Sequence, residues 1–215
     1  MNIQLALDRI TLEEAQSIAE KANNYIDIIE VGTSLIKDYG KRSISFIRER
    51  FPDKIILADI KTCDEGEYEF ISAFEAGADI ATVMGNSSLG TIDTCYAVSK
   101  KYNKDIMIDL METSKEKIEQ LKKYKDAIFF IHLAKDSKEG NLINIFNSEK
   151  LLYKDIKRIA IGGGVNKEIL ADILIINPDI LVVGSAITKS ENINLAAYEF
   201  SKMLRKEDDI HGSIK

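Results

Sequence analysis

The stretch ADIKTCDEGE at residues 58–67 sets an aspartate, a lysine and a second aspartate in close order. Asp59 and Lys61 are two apart, so an extended strand would point both to the same side, and Asp64 follows in the loop. Carboxylates beside a cation perturb one another's pKa values, which is the usual arrangement for moving a proton near neutral pH. On its own, D-x-K reads as an ordinary salt bridge on a solvated loop. Its company argues for a site: Asp8, Glu30, Asp109 and His132 also fall at or near the ends of apolar runs, where a buried charge must be paired or bound to a ligand.

Glu30 and Asp59 are oxygen donors on adjacent expected strands, and one or two carboxylates with waters and substrate oxygens are the usual holders of Mg²⁺. No HxH, HExxH or Cys/His spacing suggests a tightly held zinc ion. His132 follows AIFFI, so a satisfied core histidine competes with a chemical role. Its place at a strand end, before the polar LAKDSKEG, favours proton transfer or a hydrogen bond to substrate. His211, near the C-terminus, is given no role. Two glycine turns complete the set, IGGGVN at 161–166 and VGSAI at 183–187. Glycine lets a chain approach a phosphate closely, and helix N-termini favour anions. A glycine run alone is often only tight-turn chemistry; two such turns after the last two strands point to a phosphorylated ligand.

The elements that must position these groups are eight short apolar runs, at 3–7, 26–31, 54–60, 79–84, 105–110, 127–133, 158–162 and 179–184. They are near-continuous rather than alternating, as in parallel strands covered on both faces. Helical spacing fills the intervals, beginning with TLEEAQSIAEKAN, where Thr11 and Glu14 make a capping box. SLIKDYGKRSISFIRERF reads as one helix, and SKEGNLINIFNSEKLLYKD as a loop with a short helix near 148–153. The expected fold is α/β, a (β/α)8 TIM barrel of eight parallel strands, with an open doubly wound sheet as the competitor. One domain over residues 1–206 and a solvated tail over 207–215 are expected.

The chain of 215 residues is 45% apolar and 30% charged with a net charge of −6, and its lysines are scattered. Disorder and counterion-driven binding to nucleic acid do not fit that composition. No run of apolar residues is long enough to span a membrane, and MNIQLALDRI lacks the features of a signal peptide. Cys63 and Cys95 make no disulfide framework or zinc knuckle. A cytoplasmic setting is expected.

From LALD at 5–8 through IIEVGTSLI, ADIKTCDEGEYE, EAGADIATVMG, IMIDL, GGGVN and VGSAIT, nearly the whole chain resembles the orotidine-monophosphate-decarboxylase-like barrels, and among them the 3-hexulose-6-phosphate synthases. The D-x-K-x-x-D of Asp59, Lys61 and Asp64 is the most specific element. The resemblance implies a lyase joining formaldehyde to D-ribulose 5-phosphate with Mg²⁺, through a 1,2-enediolate, to give D-arabino-hex-3-ulose 6-phosphate. It implies metal ligation by Glu30 and Asp59, catalytic roles for Asp8, Lys61, Asp64 and His132, and substrate binding by Asp109. Gly163, Gly164, Gly184 and Ser185 would take the phosphate. It also implies a homodimer with shared sites, Asp64 coming from the partner. Lys138 stands where the synthases usually have Gln, and Lys135 where the sister 3-keto-L-gulonate-6-phosphate decarboxylases carry Arg, which keeps decarboxylation open. Against it, those decarboxylases often have Gly-Arg where this chain has Gly184-Ser185, and the loop METS at 111–114 matches neither. A third reading, from another class, is a sugar-phosphate-binding barrel without catalysis; the acidic set and Lys61 argue against it.

Overall fold

The computed structural model describes residues 1–134, 136 and 142–212, with only the backbone described at 145, 148, 149 and 205–212. Eight strands, β1 Asn2–Leu7, β2 Ile28–Val31, β3 Ile55–Thr62, β4 Ile80–Met84, β5 Asp105–Asp109, β6 Ile128–His132, β7 Ile159–Gly162 and β8 Ile180–Val183, pair in sequence order. All pairs are parallel and β8 closes on β1, so the sheet is a barrel and the open alternative is excluded. The α-helices are α1 Leu12–Ala22, α2 Thr33–Tyr39, α3 Arg42–Arg50, α4 Gly66–Glu75, α5 Leu89–Lys101, α6 Lys115–Leu121, α7 Leu142–Tyr153 and α8 Lys167–Ile176 between the strands, and α9 Ser185–Thr188 and α10 Ile193–Gly212 after β8.

Each strand buries both faces, which is why the apolar runs do not alternate. Ile28, Leu57, Ile80, Met107, Ile128, Phe130, Ala160, Ile180 and Val182 fill the barrel interior as one cluster. Their strand neighbours, such as Leu5, Ile29, Ile56, Val83, Ile108 and Leu181, belong to a second cluster between sheet and helices. Within β2, Ile28 and Glu30 therefore share one face, and moving along the strand turns an interior apolar position into an interior carboxylate. The same change ends β3, β5 and β6, and it builds the site.

The capping box forms as expected: the Thr11 hydroxyl accepts from the Glu14 N–H at 3.2 Å, and the Glu14 carboxylate accepts from the Thr11 N–H at 2.7 Å. Such a cap stabilises a helix by about 1 kcal/mol. Two expectations are corrected. The segment read as one helix after β2 is two, because Gly40 takes φ 62° and ends α2 before α3 begins. The short helix expected near 148–153 starts earlier, α7 running from Leu142. At the other end of the chain α10 runs to Gly212.

At the N-terminal rim, three aspartates each grip one isoleucine of the preceding strand. Asp27 takes the Ile3 N–H at 2.8 Å, Asp79 that of Ile56 at 2.9 Å and Asp179 that of Ile159 at 2.8 Å. Each aspartate's own N–H donates back to the carbonyl of the same isoleucine, at 2.9, 2.7 and 2.8 Å.

Candidate active site

The strands deliver their polar residues to a cavity of about 790 Å³ at their C-terminal ends. Asp8, Glu30, Asp59, Lys61 and His132 line one part, and Gly163, Gly164, Gly184 and Ser185 another. Two expected members lie elsewhere. Asp64 is exposed and does not line this chain's cavity. Asp109 is fully buried and is also absent from the lining; its neighbours are Lys61 and His132 rather than open space. Lys135 and Lys138 lie outside the described residues.

Asp59 is the hub. Its Oδ2 accepts from the Thr33 hydroxyl at 2.7 Å and pairs with the Lys61 ammonium, and its Oδ1 accepts from the Thr82 hydroxyl at 2.9 Å. Lys61 also lies 3.7 Å from Asp109. Burial alone would lower the pKa of Lys61, but Asp59, Asp109 and Glu30 outweigh it and hold the ammonium above its ordinary range. The pair does not meet by regular strand alternation, as its spacing suggested. Lys61 sits at φ 49°, in the left-handed region, at a shift in the β3–β4 register.

Glu30 is 6% exposed, and its carboxyl is pushed up to about 7 by burial first and by the neighbouring Asp59 second. The Gln4 side-chain amide, itself fully buried, donates to it at 2.6 Å and opposes that shift, as do Lys61 and His132. A buried Glu30 raised by an adjacent carboxylate fits a divalent cation, which would relieve it. Among the described residues no group of three His, Cys, Asp or Glu gathers as a ligand cluster, so an ion here would need waters or substrate oxygens as well.

His132 is oriented from behind. Its Nδ1 lies 2.8 Å from Asp109 Oδ2, and its ring stacks on Phe130 with centroids 4.5 Å apart. A carboxylate at that nitrogen selects the Nδ1–H tautomer and leaves Nε2 for the cavity. Asp109 Oδ1 accepts from the Met111 N–H at 2.9 Å, tying the histidine to the METS loop. Asp8 is held by the Ser34 N–H at 3.0 Å and by the Ser34 hydroxyl. Gly163 and Gly164 take φ 97° and 76°, and a Cβ on Gly163 would stand 2.4 Å from the Leu133 carbonyl, so that turn needs glycine.

Sequence reasoning missed Gln4, Thr33 and Thr82, which hold the carboxylates, and Arg9, Glu112 and Lys189, which line the cavity. Gln4 and Thr82 were detectable in principle as polar residues at inward positions of apolar strands. The loop residues carried no comparable signal.

A closed eight-strand parallel barrel with an acid–lysine–histidine cluster and two glycine turns at its C-terminal rim is the architecture of a (β/α)8 enzyme site. The chain belongs to the Orotidine 5'-phosphate decarboxylase / HUMPS family, whose model matches residues 1–200. It is 34% identical to the 3-hexulose-6-phosphate synthase of Bacillus subtilis, over 88% of this chain and 92% of that protein. The crystal structure of 3-hexulose-6-phosphate synthase from Salmonella typhimurium superposes with a TM-score of 0.90 at 31% identity, covering 96% of this chain and 99% of that one. A crystal structure of 3-keto-L-gulonate-6-phosphate decarboxylase from Vibrio cholerae superposes at 0.80 with 26% identity, covering 94% and 98%. Among the described residues no helix is long and apolar enough to cross a membrane.

Proposed function

We propose that the chain is a 3-hexulose-6-phosphate synthase, joining formaldehyde to D-ribulose 5-phosphate to give D-arabino-hex-3-ulose 6-phosphate. The observation that carries the reading is one cavity lined both by Glu30, Asp59, Lys61 and His132 and by the turns at Gly163–Gly164 and Gly184–Ser185. Support comes from the higher identity to synthases than to the decarboxylase.

The phosphate is taken by backbone N–H groups of the two glycine turns, which places the ketose end against the acidic cluster. His132 Nε2 removes a proton from C1, breaking the C–H bond and leaving its electron pair in a 1,2-enediolate. Asp109 holds the imidazolium that results. Lys61, kept protonated by its anionic neighbours, stabilises the oxygens on which charge develops. That electron pair then forms the bond from C1 to the formaldehyde carbon, and the former carbonyl oxygen takes the proton back from His132. Asp8 orients substrate hydroxyls. Mg²⁺, held by Glu30 and Asp59, would supply a Lewis acid for the substrate oxygens.

As the family resemblance implies, Asp64 comes from the partner subunit and the working unit is a homodimer; a cytoplasmic setting is proposed with it. Mixing inactive Asp64→Ala and Lys61→Ala chains then restores activity by forming one intact site; no rescue after confirmed subunit exchange counts against sharing. The direct test supplies Mg²⁺ and ribulose 5-phosphate with formaldehyde, and in parallel 3-keto-L-gulonate 6-phosphate. Hexulose phosphate from the first and no carbon dioxide from the second is the expected result. The reverse pattern would assign the decarboxylase, which Gly184-Ser185 in place of Gly-Arg disfavours. Exhaustive chelation abolishes turnover if the cation reading holds.

A further inference from the structure

Along most of β3 and β4, residues pair one to one. Leu57 lies opposite Ile80 and Ala58 opposite Ala81, but the next pair is Thr62 with Val83, so residues 59–61 face Thr82 alone. A strand that carries extra residues leaves backbone groups without ladder partners. Here the Lys61 N–H donates to the Thr82 hydroxyl oxygen at 2.9 Å, and the Thr82 hydroxyl donates to Asp59 Oδ1 at 2.9 Å. Thr82 is 1% exposed, so water cannot substitute for it. One hydroxyl thus receives the backbone of the lysine and holds the side chain of the aspartate that pairs with it.

We propose that Thr82 is the positioning residue of the site: it secures the left-handed Lys61 and fixes the Asp59–Lys61 pair at the cavity. A non-glycine residue at φ 49° is held there by its surroundings. The Thr33 hydroxyl and the Lys61 ammonium reach Oδ2 of Asp59, so among the described residues Thr82 alone constrains Oδ1. Valine at position 82 would keep the shape and remove both bonds. Lys61 N–H would lose its acceptor, and the bulge would loosen and let the ammonium move away from the substrate oxygens. The catalytic part of this inference rests on the proposed enediolate chemistry; the structural part does not.

The test compares Thr82→Val with Thr82→Ser, which retains the hydroxyl. Amide hydrogen exchange at Lys61, followed without substrate, reads the bulge directly. Exchange of the C1 hydrogen of ribulose 5-phosphate in D₂O reads the aligned lysine. Expected for valine are faster amide exchange at Lys61 than at its strand neighbours and a fall in C1-exchange kcat of about 10- to 100-fold, the scale of an ångström-sized misplacement. KM changes little, and serine restores both readouts toward the unmodified protein. A Lys61 amide equally protected in the valine variant overturns the role of Thr82, whatever the enzyme's substrate. A deprotected amide with undiminished C1 exchange overturns its role in catalysis. If the unmodified protein exchanges no C1 hydrogen, the proposed function fails while the amide measurement still decides whether Thr82 secures the bulge.

Discussion

At the N-terminal end of the barrel, Asp79 is met by Lys104 at 2.6 Å, by Arg48 and by the Ile56 N–H, while Asp105 and Arg158 form a two-point pair at 2.8 Å. At the C-terminal end, Glu30 and Asp59 stand together, with Lys61 paired to Asp59 and Gln4 the direct hydrogen-bond donor to Glu30. Burial opposes ionisation at Asp79 too, but its hydrogen bonds and cations win, and its carboxyl lies below the usual range. At Glu30 burial and Asp59 win, and the carboxyl rises to about 7. A carboxylate is thus settled at one rim and left in electrostatic conflict at the other. A folded chain keeps such conflict where a ligand resolves it, so the two rims divide stability from chemistry.

Lys61→Ala tests that division hardest. Removing the ammonium should lower kcat by roughly 10²-fold or more, the scale of losing one oxyanion donor. Steady-state kinetics checks it; comparable turnover would return Asp59 and Lys61 to an ordinary salt bridge.

Asp79→Ala should show the reverse. It takes the carboxylate from Lys104, Arg48 and the Ile56 N–H together, and a loss of about 2–3 kcal/mol in urea unfolding is expected with kcat unchanged. A kcat that falls with stability intact would erase the distinction between the rims.

Glu30→Gln sharpens the contrast through pH. With a folded pKa of about 7 against an ordinary glutamate value of 4.5, Glu30 binds its proton more tightly in the folded chain. It therefore subtracts stability as pH rises through that window, and the penalty is complete above it. Glutamine removes the penalty, and its amide can donate to Gln4 Oε1, which is buried without a partner. Unfolding at pH 8 should show a gain on the order of 2 kcal/mol that disappears below pH 4.5, while activity is lost. An equal gain at both pH values would show that packing, rather than charge, is responsible.

The smallest effect belongs to the phosphate turns. A Cβ at Gly184 would meet only Ala6, at 3.8 Å, so Gly184→Ala should raise KM by no more than about threefold. Gly163→Ala, forced against the Leu133 carbonyl, should raise it further. Equal KM values for the two would mean that the turn geometry does not set phosphate binding.

The barrel was readable because burial on both faces leaves continuous apolar runs, and the cavity residues Asp8, Glu30, Asp59, Lys61 and His132 because charges at the ends of such runs stand out. The break at Gly40 was hidden by helical spacing on either side of it. Asp109 looked like its neighbours in sequence, since nothing in IMIDL tells a lining carboxylate from one buried behind a histidine. The bulge at Lys61 depends on what β4 presents to β3, and pairing between strands is not written in either strand alone.

The aspartate grips on Ile3, Ile56 and Ile159 carry a consequence for aim. Each addresses one residue of the neighbouring strand from both its N–H and its carbonyl, which makes it a registration mark. In a closed sheet the staggers of successive strands must sum to a fixed shear, so sliding one pair disturbs the ring as a whole. Slippage by one residue would also exchange inward for outward side chains, sending Glu30 into the helical layer and Ile29 into the barrel. The marks at one rim thereby add to the closed ladder in keeping those atoms pointed into the cavity at the other.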